Sequence, residues 1–180
     1  YAGNQYSTNW CSKETWSTSG DSLCYFIENA QLYGLFPEDY HADAIKAIRN
    51  KFVGDSSGKN DRKDASLWAK VDIMLTDAFI QIVKDIKIGR LPDDSISLRK
   101  DSVLSNEFYQ QQLNAVFSNG LISTIESLEP KQPEYLLLKS GIKKFLDGAD
   151  YRKFTIIPYP EKNQQKFKQL LQKRLYEGGF

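Results

Sequence analysis

The sequence is poor in the residues that most often carry chemistry. Its only histidine is His41, and its only cysteines are Cys11 and Cys24. Without a second histidine or a His/Cys cluster there is no ligand set for a classical zinc site. No glycine-rich phosphate loop and no nucleophile elbow occur, so no cofactor is expected. A formal charge of +1, with acids and bases interspersed, lacks the basic concentration of nucleic-acid binders, and no nucleic-acid partner is expected. No apolar run approaches the ~20 residues of a membrane span, so no transmembrane segment is expected. A basic-then-apolar leader is missing at Tyr1, and any signal peptide is expected either to have been removed or to lie outside this sequence. Strand-like alternation is absent beyond a few residues, with Phe154 to Ile157 as the one exception, and there are no repeats or low-complexity tracts.

Two cysteines leave two readings open. Paired, Cys11 and Cys24 would close a loop of about 15 residues and stabilise the fold by roughly 3 kcal/mol in the loop-entropy model. A disulfide would suit an exported protein. Unpaired, Cys24 is a small core residue on the first helix. As a nucleophile, either would need His41 as its base, and neither local sequence, Asn-Trp-Cys-Ser or Leu-Cys-Tyr, suggests an activated thiolate.

What the chain has is helical periodicity. At 180 residues with 41% hydrophobic content it can bury one core. Residues 1–20 are polar and aromatic without period and read as a loosely ordered lead-in. Asp21-Ser22 offers an N-cap for a helix from about Leu23 to Tyr33, with Leu23, Phe26, Ile27 and Ala30 inward and Gly34 closing it. Leu35 to Asp39 reads as a turn, followed by a helix to about Val53 through Ala44, Ile45, Ile48 and Phe52. Residues 54–64 are a charged, Gly/Ser-rich loop. A long helix follows from about Ala65 to Ile88, and an irregular crossover from Arg90 to Ser102. Helices are then predicted over Asn106–Phe117 and Leu121–Leu128, the second stopped by Pro130. Pro133 starts another, to about Leu146, with Leu137, Leu138, Ile142 and Phe145 inward. A last amphipathic helix covers Asn163 to Tyr176. The fold class is therefore all-α, a helical bundle around one long central helix.

That central helix holds the main anomaly. Val71, Leu75, Phe79, Ile82, Val83 and Ile86 form one broad apolar arc at about 100° per residue. Asp72 falls inside it. A carboxylate there needs a partner, because burying an unpaired charge is costly. The plain reading is that Asp72 hydrogen-bonds backbone ends of neighbouring segments; the sharper one is a catalytic acid.

Three motifs occur in order: Tyr33-Gly-Leu-x-Pro-x-Asp-Tyr-His41, Val71-Asp-x-x-Leu-Thr-Asp-Ala78 ending in Gly89-Arg90, and Leu128-Glu-Pro-x-x-Pro-x-Tyr135 with Leu138. Together they resemble the N-terminal scaffold domain of the large murein L,D-transpeptidases, the YcbB-like family of exported cell-wall enzymes, over about residues 22 to 160. The tail from Phe167 to Phe180 is similar to the connection into a peptidoglycan-binding module. The family's catalytic part carries a histidine followed by a Ser-x-Gly-Cys-x-Arg signature, and this chain has neither. The resemblance therefore implies a piece of a longer enzyme: a lead-in over 1–20, a helical scaffold over 21–160, and a connecting helix over 161–180. It implies a periplasmic or cell-envelope location, and the catalytic and peptidoglycan-binding modules of the same chain as partners. Gly34, Pro37, Asp39, Asp72, Thr76, Asp77, Arg90, Pro130, Pro133 and Tyr135 are then structural, and no catalytic residue carries over.

Two rivals remain at this level. One is a module that grips glycan or stem peptide itself, through Tyr6, Trp10 and Trp16 or through Trp68 and Tyr151. The other is an all-α glycosidase using a carboxylate pair, for which Asp93-Asp94 and Glu126 with Glu129 are the nominal candidates.

Overall fold

The computed structural model describes residues 8–12, 14–54, 64–90, 104–149, 154–157 and 164–178. They form two compact units, Tyr1–Lys143 and Lys144–Phe180. Helix dominates both, and the fold is all-α apart from one minimal hairpin.

The hairpin, β1 (Cys11–Ser12) and β2 (Thr15–Trp16), pairs Cys11 with Trp16 and Ser12 with Thr15. It leads into α1 (Thr18–Glu28), capped by Ser17, whose hydroxyl oxygen accepts from Gly20 N at 3.0 Å. The same hydroxyl donates to Trp10 O, as does Ser17 N, at 2.9 and 3.1 Å. These bonds start the helix ahead of the Asp21-Ser22 cap that the sequence offers. They also press Trp10 O so close to the helix that a Cβ on Gly20 would lie 2.1 Å from it. The lead-in accordingly enters the core at Trp10 and Cys11, with Trp10 fully buried, while Thr8, Ser12, Glu14 and Thr15 stay exposed.

After α1 a 3-10 turn, Ala30–Tyr33, ends at Gly34 in the left-handed conformation with φ 71°, which glycine adopts without a Cβ penalty. Pro37 then opens a second 3-10 turn, Pro37–Tyr40, suited by its fixed φ and missing N–H. His41 closes it, also left-handed, and α2 runs from Ala42 to Gly54. The long helix α3 (Ala65–Ile88) is capped by Asp64, whose carboxylate accepts from Ser66 N, and ends at Gly89. It is followed by α4 (Asn106–Asn119), α5 (Leu121–Leu128) and α6 (Pro133–Asp147).

The apolar arc of α3 decides the packing of the first unit. Val71, Leu75, Phe79, Ile82, Val83 and Ile86 are all buried, and α3 packs against α1, α2, α4, α5 and the second 3-10 turn. Leu23, Phe26 and Ile27 of α1, Ile45, Ile48 and Phe52 of α2, Val116 of α4 and Ile125 of α5 close the same core.

Helix α6 departs from expectation. Leu137 and Leu138 are 71% and 75% exposed and Phe145 is also exposed, although their apolar character predicts burial. Its half-buried positions are Tyr135, Lys139, Ile142 and Leu146, spaced four, three and four residues apart. The helix is turned by the polar grip of Tyr135 and Lys139 on Glu129, so the leucines beside them face away.

In the second unit, α7 (Gln164–Glu177) has no fully buried residue. Residues 154–157 lie against it: Thr155 N and Oγ1 both donate to the Glu177 carboxylate at 2.6 Å, and the Arg174 guanidinium stacks 3.8 Å from the Phe154 ring centre.

Candidate functional site

The polar residues that interrupt the apolar chemistry of the first unit gather into three junctions. The first is centred on Asp72, which is 1% exposed. Its carboxylate accepts from Asn9 N at 3.0 Å through both oxygens and from Trp10 N at 2.7 Å. One turn on, Thr76 Oγ1 accepts the Trp10 indole N–H at 3.0 Å while donating to Asp72 O at 2.9 Å. Asp72 therefore holds the backbone of the incoming strand and Thr76 holds the side chain. The Trp10 ring, so fixed, packs against Phe79 and Phe117, with ring centres 5.5 and 5.8 Å away.

Cys11 completes this junction and corrects the disulfide expectation. Its Sγ lies 3.4 Å from Asp72 Oδ1 and 3.9 Å from Trp68 O, not against Cys24, and both cysteines are free and buried. The hairpin turns the thiol toward α3, whereas Cys24 belongs to the α1 face of the core. Burial, reinforced by the negative charge of Asp72, pushes the Cys11 thiol up to about 12. Burial likewise raises Cys24 to about 11, opposed by Arg49. A thiol beside a carboxylate is the reverse of an activated nucleophile.

The second junction joins three consecutive residues of the turn before α2 to successive stretches of α3 and the residues just after it. Asp39 Oδ2 accepts from Arg90 Nε at 2.6 Å, and the Arg90 guanidinium also covers the Phe36 ring at 4.2 Å. Tyr40 is fully buried, and its hydroxyl donates to Asp85 Oδ2 at 2.8 Å; Gln81 Nε2 serves the other oxygen at 3.0 Å. His41 Nε2 lies 2.7 Å from Asp77 Oδ2. Burial, then the Asp85 bond and charge, drive the Tyr40 phenol far above its ordinary range. His41 is thus committed to a helix latch, its left-handed backbone turning the ring toward α3.

The third junction is where α5 gives way to α6. Pro130 follows the last residue of α5's cap, Glu129, and Pro133 is the first residue of α6. Buried Glu129 accepts from Tyr135 Oη at 2.8 Å and from Lys139 Nζ at 2.7 Å through both oxygens. Lys139 also stands 4.5 Å above the Tyr33 ring, so the residue before Gly34 meets the third motif. Burial and the Glu129 bond raise the Tyr135 phenol in the same sense as Tyr40.

Residues 1–141, which contain all three junctions, match the family model described as the Scaffold domain. The chain belongs to the Scaffold domain family. No curated protein and no solved structure matches it.

In this scaffold domain the motif residues close on one another, Asp39 on Arg90, Asp77 on His41, Tyr135 on Glu129. The nominal carboxylate pair falls apart: Glu129 is bound to Lys139 and Tyr135, while Glu126 is exposed. Asp93, Asp94, Tyr6 and Tyr151 lie outside the described residues. Trp10 and Trp68 are buried, and Trp16 packs edge-on to Trp68 at 5.4 Å, so these rings form core rather than a stacking platform. A cleft of about 220 Å³ lies beside Cys11, Ser12, Glu14 and Trp68. Among the described residues no group of His, Cys, Asp or Glu could hold a metal ion, and no helix is long and apolar enough to cross a membrane.

Sequence reasoning missed the partners more than the residues. Asn9 and Trp10 lie in a stretch without period, Asp85 and Lys139 look like ordinary surface residues of their helices, and Tyr40 appears only as one letter of the first motif. The available signal was that motif, which places Tyr40 between Asp39 and His41.

Proposed function

We propose that this scaffold domain is the non-catalytic region of an exported L,D-transpeptidase that remodels peptidoglycan, working at the cell envelope. Its partners are the catalytic and peptidoglycan-binding modules of the same longer chain, which it braces. The observation that carries this reading is the destination of the motif polar groups. In the three sequence motifs that resemble those of the YcbB-like enzymes, the side chains of Asp39, His41, Asp72, Thr76, Asp77, Arg90 and Tyr135 bond within the domain instead of pointing into a shared cleft. A residue set spent on internal geometry suits a brace. Acyl transfer by cysteine instead needs a thiolate, a base and oxyanion donors, and here both thiols are held protonated.

The test has two parts. The gene's reading frame beyond Phe180 should encode a Ser-x-Gly-Cys-x-Arg signature; a frame without it removes the transpeptidase assignment. Purified chain incubated with muropeptides and resolved by mass should yield no cross-linked or shortened species. A new product that disappears in a Cys11→Ala/Cys24→Ala variant would overturn the scaffold role. Strong retention of the chain on insoluble sacculi would instead favour a module that binds peptidoglycan by itself.

A further inference from the structure

Helix α6 carries an apolar stripe that no packing within the helix's own surroundings uses. At about 100° per residue, Glu134, Leu137, Leu138, Gly141, Lys144 and Phe145 fall within about 120° of one another. The half-buried Tyr135, Lys139, Ile142 and Leu146 stand on the other side. Leu137, Leu138 and Phe145 are 71%, 75% and 73% exposed. Other large exposed apolar side chains of the first unit are engaged or separated: Arg90 covers Phe36, Trp10 packs on Phe117, and Asp77 stands between Ile73 and Ile80. A contiguous exposed apolar cluster marks an interaction surface. Leu138 is also a member of the third motif, and the domain gives it no packing role, unlike Glu129 and Tyr135.

Two further features say what covers the stripe. Gly141 lies at its middle, where glycine weakens a helix and a Cβ would have nothing within 4 Å. The domain itself does not require that glycine; a second helix crossing there at close range would use it. The two ends of the stripe are also opposite in sign. Glu134 lies in the first turn and Lys144 in the last, and neither has a bonded partner among the described residues, while Lys143 and Asp147 lie off the stripe. A second copy of α6, set antiparallel with the crossing at Gly141, meets all of this in one isologous contact. Leu138 of each copy then faces Phe145 of the other, Leu137 lies along the aliphatic stem of Lys144, and Glu134 turns toward the other copy's cationic end. Parallel pairing would set Lys144 against Lys144.

We infer that α6 is a homotypic docking helix, through which two copies of this chain pair antiparallel. This goes beyond the bracing role and does not depend on the transpeptidase reading. One helix pair buries roughly 1,000 Å² or less, the low end for specific interfaces, so the dimer is weak, with a Kd of roughly 10–100 μM. The experiment is sedimentation equilibrium of the full chain from about 1 to 300 μM, a range that spans such a Kd. The average mass should rise from that of one chain toward that of two. Leu138→Ser with Phe145→Ser should raise the Kd about tenfold or more. Glu134→Lys and Lys144→Glu should each raise it by about threefold to tenfold, and the two together should restore it. All four side chains are exposed, and circular dichroism checks that each variant keeps its helicity. A chain that stays monomeric over this range would overturn the inference and leave the face to another module of the longer chain. Association indifferent to the Leu138/Phe145 pair would overturn it as well, and so would a charge swap that fails to restore pairing.

Discussion

Asp72 shows how one side chain can organise a fold. A buried carboxylate loses its hydration, and three N–H bonds from the backbone of Asn9 and Trp10 replace it. Asp72→Asn keeps the shape but turns an NH2 group toward those donors. It should cost about 2–3 kcal/mol in a urea titration, the scale of an unsatisfied buried group. Asp77→Asn, in a solvent-facing pair with His41, should cost under about 1 kcal/mol. Equal effects would mean that Asp72 does not hold the lead-in. The cysteines make a second, independent case. With both folded-state thiols raised, from an ordinary 9.0 to about 12 and about 11, the folded chain keeps protons that the unfolded chain releases. Their contribution to stability is therefore complete below pH 9 and is lost as pH rises through 11 to 12. Tyr40 and Tyr135 act in the same direction. Urea midpoints should fall between pH 8 and pH 11, and Cys11→Ala should flatten that fall. Unfolded, unreduced chain should titrate two thiols; a count of zero would restore the disulfide.

Among the elements, α3 and α6 show opposite relations between pattern and place. On α3 the 3.6-residue period and the burial coincide, since every residue of the arc is in the core. Phe79→Ala removes a ring that Trp10 also packs on, and about 3–5 kcal/mol of stability should go with it. A loss under about 0.5 kcal/mol would show that α3 is not central. On α6 the run Leu136-Leu-Leu138 is apolar yet exposed, because Tyr135 and Lys139 turn the helix toward Glu129. Leu138→Ser should therefore change stability by less than about 0.5 kcal/mol, as a surface substitution does. Glu129→Gln, in contrast, weakens the bond that sets this rotation and leaves Lys139 without its counter-charge. It should cost about 2–4 kcal/mol in the same titration.

At the scale of the molecule, much of the bundle was legible in the chain. Helical spacing located α3, α4, α5 and α7 within two or three residues, because period and capping are local properties carried by neighbouring side chains. Asp72 announced itself by standing in an apolar arc, and Gly34, Pro37 and Pro133 by the backbone geometry that only their covalent structure favours. Tertiary structure alone decided the rest. It drew the unpatterned lead-in into the core through Trp10, chose Ser17 over Asp21 as the cap, and turned Cys11 toward Asp72 instead of Cys24. It matched Asp39, Tyr40 and His41 to Arg90, Asp85 and Asp77, across 36 to 51 residues of chain. Such pairings leave no periodic trace, since the polar groups that must meet are set by how packed helices cross, and a burial penalty in a sequence says that a partner is needed without saying which one.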